Sequence, residues 1–172
     1  VVVDMDKTCV LGYSASYATQ INAVAIEDAL LCLATPWKPR VLTTEGLSYI
    51  PGAALPVGNI PDLDEIRPCA VAFDNATQHF ANRFLEGTRK QWGCAMNAIP
   101  IGSWPRNAGI ERVFRTVEQW VFHQRPSSTG SHPADPMKPE SVRGARKHHI
   151  AWENLLDLVD VLLANYNASR NT

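Results

Sequence analysis

Apolar and polar positions change period along the chain, and the changes mark out a series of elements. Val1-Val2-Val3 and Cys9-Val10-Leu11-Gly12-Tyr13 are β-branched and apolar on either side of a polar Asp4–Thr8 break, which predicts two adjacent strands joined by a tight turn. Between Thr19 and Leu33, the residues Ile21, Val24, Ala25, Ala29, Leu30 and Leu33 recur near helical spacing with Glu27 and Asp28 outside them, so a helix stopped by Pro36 is predicted. Trp37 to Pro68 is broken by Pro39, Gly46, Pro51, Gly52, Pro56, Gly58 and Pro61 and predicts a long connection, with a short strand at Val41–Thr43. Ala70-Val71-Ala72-Phe73 predicts a buried strand stopping at the polar tip Asp74-Asn75. Phe80 to Trp92 predicts a helix, Ala95 to Ile99 a strand, and Pro100 to Asn107 a loop. From Ala108 onward, Ile110, Val113, Phe114, Val117 and Val121 follow amphipathic helical spacing. Trp152 to Tyr166 closes with a helix whose apolar face is Leu155, Leu156, Val159, Leu162 and Leu163. Strands alternating with helices argue for an α/β domain, and no internal repeat is visible.

Composition narrows the class. With 172 residues, 45% of them hydrophobic and 19% charged, the chain suits a globular domain with its own core, not a disordered or fibrous protein. No stretch approaches the ~18–20 apolar residues of a membrane span. Val1-Val2-Val3-Asp4 lacks an initiator Met and a basic flank, so it is expected to be the cut end of a longer chain and not a signal peptide. Cys9, Cys32, Cys69 and Cys94 lie more than twenty residues apart and form no metal-type pair, which fits a reduced, cytoplasmic setting.

The net charge of −1 conceals an uneven spread. Residues 1–79 carry 4 basic and 9 acidic side chains, residues 80–150 carry 11 and 5, and residues 151–172 carry 1 and 3. A basic stretch inside a neutral chain is the electrostatic footprint of a polyanion partner, against which stands a solvated surface whose charges balance in space. By composition, residues 125–150 form a basic loop rich in Pro, Ser and Gly between a core at 1–124 and a closing core helix at 151–172.

Two carboxylates stand out by placement. Asp74 follows a predicted strand, and Glu111 comes 37 positions later in the first turn of a predicted helix, after a Pro/Gly loop. Carboxylates at a strand tip and on a helix can converge on a hard divalent cation such as Mg²⁺, which takes oxygen ligands. A pair of such ions clamps the attacking and leaving oxygens of a phosphoryl displacement. Any domain of this size contains many Asp–Glu pairs, so spacing does not select this one.

The surrounding residues do more. Asp74-Asn75-Ala76-Thr77-Gln78-His79-Phe80, followed by Trp104-Pro105-Arg106-Asn107-Ala108-Gly109-Ile110-Glu111-Arg112-Val113-Phe114-Arg115-Thr116, resembles the catalytic core of retroviral integrases and Mu-type (DDE) transposases. Gly109–Thr116 is the most specific part. Val1–Tyr13 looks like that family's second strand, turn and third strand, and Leu162–Asn167 resembles the end of its last core helix. The resemblance implies an RNase H-like fold, a mixed five-stranded sheet flanked by helices. It implies two Asp and one Glu holding two Mg²⁺ or Mn²⁺ ions for DNA cleavage and strand transfer in transposition. Asp74 matches the second Asp and Glu111 the Glu. The first Asp belongs to a strand ahead of the segment that Val1–Asp4 resembles, so that strand is missing here; the alternative makes Asp4 or Asp6 the first ligand. On this resemblance the parent protein is an enzyme, and the 172 residues by themselves bind metal poorly and do not catalyse. Ala76 departs from the family's usual Gly, and the long connection before Ala70 is closer to Mu-type transposases. Such proteins act as oligomers on DNA, often with an ATPase and a target selector.

Each further candidate has a plainer reading. Asn75 orients DNA or a metal-bound water, or simply turns the chain after a strand. Arg106 is a candidate DNA contact; Arg112 and Arg115 contact phosphates, or pair with carboxylates. Arg143, Arg146 and Lys147, with His148 and His149, suit a DNA backbone or a solvated linker. His79 is structural, Trp104 packs as a lid more readily than it stacks on a base, and Trp92, Trp120 and Trp152 are core. The competing function is a non-catalytic DNA-binding or assembly scaffold with an integrase-like fold.

Overall fold

A computed structural model describes residues 1–16, 23–63, 67–73, 81–99, 104–122 and 150–169. They form a mixed α/β protein with four α-helices and two small sheets of two strands each. The chain divides into two compact units, Val1–Lys38 with Leu55–Ile110, and Pro39–Ala54 with Glu111–Thr172.

In the first unit, β1 (Val2–Val3) pairs antiparallel with β2 (Val10–Gly12). The polar break between them folds because Asp4 serves both sides of the turn. Its N–H donates to the Cys9 carbonyl at 2.9 Å, its carbonyl accepts the Thr8 N–H at 2.8 Å, and its Oδ2 accepts the Lys7 N–H at 2.7 Å. Thr8 closes the turn in the left-handed region at φ 54°, a strained position for a β-branched residue. Helix α1 (Ala23–Leu31) ends in a tightened turn, with N–H groups of Leu33 and Ala34 reaching the carbonyls of Leu30 and Leu31, before Pro36 forbids continuation.

Strand β3 (Ala70–Phe73), helix α2 (Ala81–Trp92) and strand β4 (Ala95–Ala98) make a βαβ unit with the strands parallel, Ala70 opposite Ala95 and Phe73 opposite Ala98. Gly93, at φ 68°, ends α2 by donating its N–H to the Arg89 carbonyl at 3.0 Å, an αL cap that turns the chain straight into β4. Leu30 and Leu33 are the buried centre of this unit. Val2 and Leu11 from one ribbon, Val71 and Met96 from the other, and Ile26 and Trp92 pack around them.

In the second unit, helix α3 (Trp104–Val117), whose last seven residues belong here, runs into a wider π turn over Glu118–Phe122, and α4 (Trp152–Ser169) closes the chain. Val113, Val117, Leu158, Val161, Leu162, Leu163, Ala164 and Tyr166 are buried. The Trp120 and Tyr166 rings meet with centroids 6.4 Å apart at a tilt of 53°.

Several expectations need correcting. Among the described residues the strands make two separate ribbons, not one mixed sheet. Val41–Thr43 is not a strand, because the Thr43 and Thr44 N–H groups are taken by a carboxylate and not by a ladder. Strand β3 is not buried; it alternates exposed and half-buried positions, as a ribbon with one covered face does. Helix α3 starts at Trp104, so Trp104–Asn107 is helical; Pro105 fits there because a first helical turn needs no N–H from it. Glu111 therefore sits in mid-helix and not in a first turn. Trp120 is 42% exposed and is not core.

The ribbon β1–β2 approaches α1 so closely that Gly12 admits no side chain: a Cβ there would lie 2.5 Å from the Cys32 Cβ and 2.6 Å from the Ala29 carbonyl oxygen. Since backbone cannot swing aside, Gly12→Ala is expected to lower the unfolding free energy by about 1–3 kcal/mol, measured by urea denaturation.

Candidate functional site

The Gly109–Thr116 motif lies on α3, and its residues separate by role. Val113 is fully buried and anchors the helix, as does Val117 one turn on. Gly109 faces the β1–β2 turn: a Cβ at this position would sit 3.2 Å from Thr8 Cγ2, so the missing side chain sets the helix against the turn. Glu111, Arg112 and Arg115 are exposed. Arg115 stands four residues beyond Glu111, on the same side of the helix, yet neither forms an ion pair among the described residues. The helix thus presents a carboxylate and two guanidinium groups to solvent.

The other half of the constellation is bounded by β3. The Ile99 N–H donates to the Phe73 carbonyl at 2.8 Å, so the parallel pairing runs to the last residue before Asp74. Loops past the carboxyl ends of parallel strands are where α/β proteins build sites. Asp74 itself, with Asn75, Ala76, His79, Arg143, Arg146, Lys147, His148 and His149, lies outside the described residues. Arg106 falls in the first turn of α3.

Asp4 and Asp6 take local roles. Asp4 holds the turn described above, and Asp6 pairs with Lys7 at 3.0 Å, both nearly fully exposed. Among the described residues there is no group of three or more His, Cys, Asp or Glu side chains poised for a metal ion. Asn167, which begins an Asn-Ala-Ser sequon, is buried and donates from Nδ2 to the Ala54 carbonyl at 2.9 Å.

The strongest polar cluster was not legible as such in the sequence. Asp157, on α4, is fully buried and gathers the connection 39–54 onto the helix. Its Oδ2 accepts the Thr43 N–H at 2.7 Å, the Thr43 hydroxyl at 2.9 Å, the Thr44 N–H at 3.2 Å and the Thr44 hydroxyl at 3.3 Å. Its Oδ1 accepts Arg40 Nε at 3.0 Å, and the other arm of that guanidinium reaches Glu153 at 2.9 Å. One helical turn on, Asp160 accepts the Tyr49 hydroxyl at 2.6 Å, while the same hydroxyl accepts the Arg40 N–H at 3.0 Å. Asn165 Oδ1 takes the Ile50 N–H at 3.0 Å, and its Nδ2 donates to the Ser48 carbonyl at 3.1 Å. The signal available in the sequence was two carboxylates embedded in the run Leu155–Leu163, where an amphipathic helix has no need of them.

The Thr43 backbone N–H above all holds the Asp157 carboxyl down, at about 2 against an ordinary 3.8; burial opposes it, and Arg40, the Thr43 hydroxyl and the Thr44 N–H reinforce it. Burial, and next the hydrogen bond to Asp160, push the Tyr49 phenol well above its usual range.

No protein-family model matches the chain, and neither a curated protein nor a solved structure shows significant similarity to it. No helix among the described residues is long and apolar enough to cross a membrane.

Folding lowers the Asp157 pKa, so the stability it contributes is complete above the ordinary carboxyl value of 3.8 and is lost as pH falls through about 2. Asp157→Asn is expected to flatten the loss of stability between those two pH values in an acid titration followed by circular dichroism. Asp157→Ala at neutral pH is expected to lower the melting temperature by roughly 5 °C or more.

Proposed function

We propose that the chain is part of the catalytic core of a DDE-type transposase or integrase, which cuts and joins DNA with divalent metal ions. The observation that carries this reading is the Gly109–Thr116 motif on one helix, with its valine buried and Glu111, Arg112 and Arg115 exposed. Asp74, the first residue beyond the carboxyl end of β3, supports it. So do the strand pairings: an antiparallel ribbon and a parallel ribbon around one apolar centre are the two kinds of pairing that a mixed RNase H-like sheet contains.

The donor chemistry fits the implied ions, since Asp74 and Glu111 offer carboxylate oxygens, the ligands that Mg²⁺ and Mn²⁺ prefer. Bound there, two ions would stabilise the attacking and leaving oxygens of a phosphodiester. The chain's own part is positioning and charge. Glu111 is carried on a rigid helix, and Arg112 and Arg115 offset phosphate charge beside it, as Arg106, Arg143, Arg146 and Lys147 do along the DNA backbone. Asn75, next to Asp74, orients the DNA. No covalent enzyme intermediate is required. Partners are transposon ends and target DNA, further copies of the chain, and an ATPase or target selector.

The alternative is a non-catalytic DNA-binding or assembly scaffold, for which the exposed Arg112 and Arg115 would serve without a metal site. Strand transfer separates the two. With the natural gene product, its own element ends and Mn²⁺, Asp74→Asn and Glu111→Gln are each expected to abolish joining. The melting temperature stays unchanged for Glu111→Gln, because that side chain is exposed. Joining retained by either variant removes that residue from the site, and a wild type that binds DNA without joining it favours the scaffold.

DNA binding gives a second check. Arg112→Ala and Arg115→Ala are each expected to reduce the slope of log affinity against log salt by about 1 without changing sequence preference.

A further inference from the structure

Residues 39–54 cross the second unit without regular secondary structure, and Arg40-Val41-Leu42-Thr43 within them sets a guanidinium three positions before a hydroxyl. The segment is open to solvent here: Val41 is 91% exposed, and Thr43 is exposed. The same threonine is the main fastening of the segment to α4, giving both its N–H, at 2.7 Å, and its hydroxyl, at 2.9 Å, to one oxygen of the buried Asp157.

We infer that Thr43 is a phosphorylation site for an ATP-dependent protein kinase that selects a basic residue three positions before its acceptor, and that the phosphate unlatches residues 40–50 from α4. The inference does not depend on the DNA-joining reading. In the transfer, Thr43 Oγ1 attacks the γ-phosphorus of ATP and the bond from that phosphorus to the β–γ bridging oxygen breaks. The hydroxyl proton passes to the kinase's base, and ADP leaves.

The product reverses the chemistry of the fastening. A hydroxyl that donated to Asp157 becomes a group with about −1.5 to −2 charge and acceptor oxygens only. Asp157, ionised and acceptor-only, then faces a second anion at hydrogen-bond distance. Arg40, whose Nε now holds Asp157 Oδ1 at 3.0 Å, lies close enough in sequence to turn its fork to the phosphate, the stronger partner. The carboxylate would lose the Thr43 hydroxyl and the guanidinium together. The hydroxyl is engaged in the docked state, so the kinase meets it when the segment lifts, and the phosphate then prevents its return. This is a population shift between two arrangements of one element.

The test incubates the 172-residue chain with MgATP and a protein kinase of that basic-residue preference, maps phosphate by tandem mass spectrometry and compares amide exchange before and after. Phosphate is expected on Thr43, absent there in Thr43→Val, with amide exchange at Thr43, Thr44 and Ile50 faster by about tenfold or more. Thr43→Ser keeps the hydroxyl and is expected to behave as the wild type, which guards against a Thr43→Val chain that fails to fold. Phosphate absent, or found only on other residues, overturns the site. Phosphate on Thr43 with unchanged exchange at those three amides overturns the latch.

Discussion

A connection rich in proline and glycine satisfies little of its own backbone, here through the Leu47 and Ala53 N–H groups, and the second unit depends on how the rest is met. Buried N–H and carbonyl groups need partners, and among the described residues no strand lies beside residues 39–54 to supply them. Helix α4 supplies them from side chains. Asp157 takes five donors from Arg40, Thr43 and Thr44, and Asp160, Asn165 and Asn167 continue the row to Tyr49, Ile50, Ser48 and Ala54. A buried carboxylate is costly unless its lone pairs are filled, and an irregular loop is costly unless its amides are. Each solves the other's problem. Beside the buried apolar residues of α3 and α4, a few charge-assisted bonds hold this connection, which makes its attachment sensitive to single changes of charge.

The first unit works by a different rule. A ribbon of two strands is marginal in water, and this unit contains two of them. Among the described residues neither has a polar clasp like that of α4. They hold because Leu30 and Leu33 offer one apolar centre to which each ribbon contributes a pair of side chains, Val2 with Leu11 and Val71 with Met96. Close approach then matters more than hydrogen bonding. The absent side chain of Gly12 lets β2 lie on α1, and Cys32 Sγ comes within 3.4 Å of the Tyr13 carbonyl. Apolar contact of this kind is intolerant of added volume, whereas the fastening of residues 39–54 to α4 is sensitive to charge.

How much of this could be read in the sequence follows the same division. Where apolar periodicity decides the structure, expectation and structure agree: the β1–β2 ribbon, α1, α2 and β4 lie inside their expected segments, and α4 starts at Trp152 as expected and runs three residues past Tyr166, to Ser169. They part where side-chain polarity decides. The β-branched and apolar run Val41–Thr43 reads as a strand, yet its amide goes to a carboxylate more than a hundred residues away, a partner that no local pattern announces. Trp104-Pro105 reads as loop because proline breaks most helices, though it suits the first turn of one. Trp120 reads as core because it is large and apolar; the π turn that carries it leaves one side of its ring on Tyr166 and the rest in solvent. Of the candidate site, the motif's helical setting was legible from its valine spacing, whereas the depth of Glu111 within the helix was not.

That depth bears on what α3 can do. A carboxylate in a first turn shares its charge with unpaired helix N–H groups and frays with them. Glu111 instead has seven helical residues before it and six after, so its backbone is fixed on both sides. Val113 and Val117 are buried on the opposite flank, and Gly109, two residues earlier, is set against the Thr8 turn. The Glu111 side chain is thus exposed on a helix whose opposite face is buried. Buried valines opposite an exposed glutamate are the pattern of an amphipathic helix, so this setting fixes where Glu111 stands and leaves its role to the chemistry of the carboxylate itself.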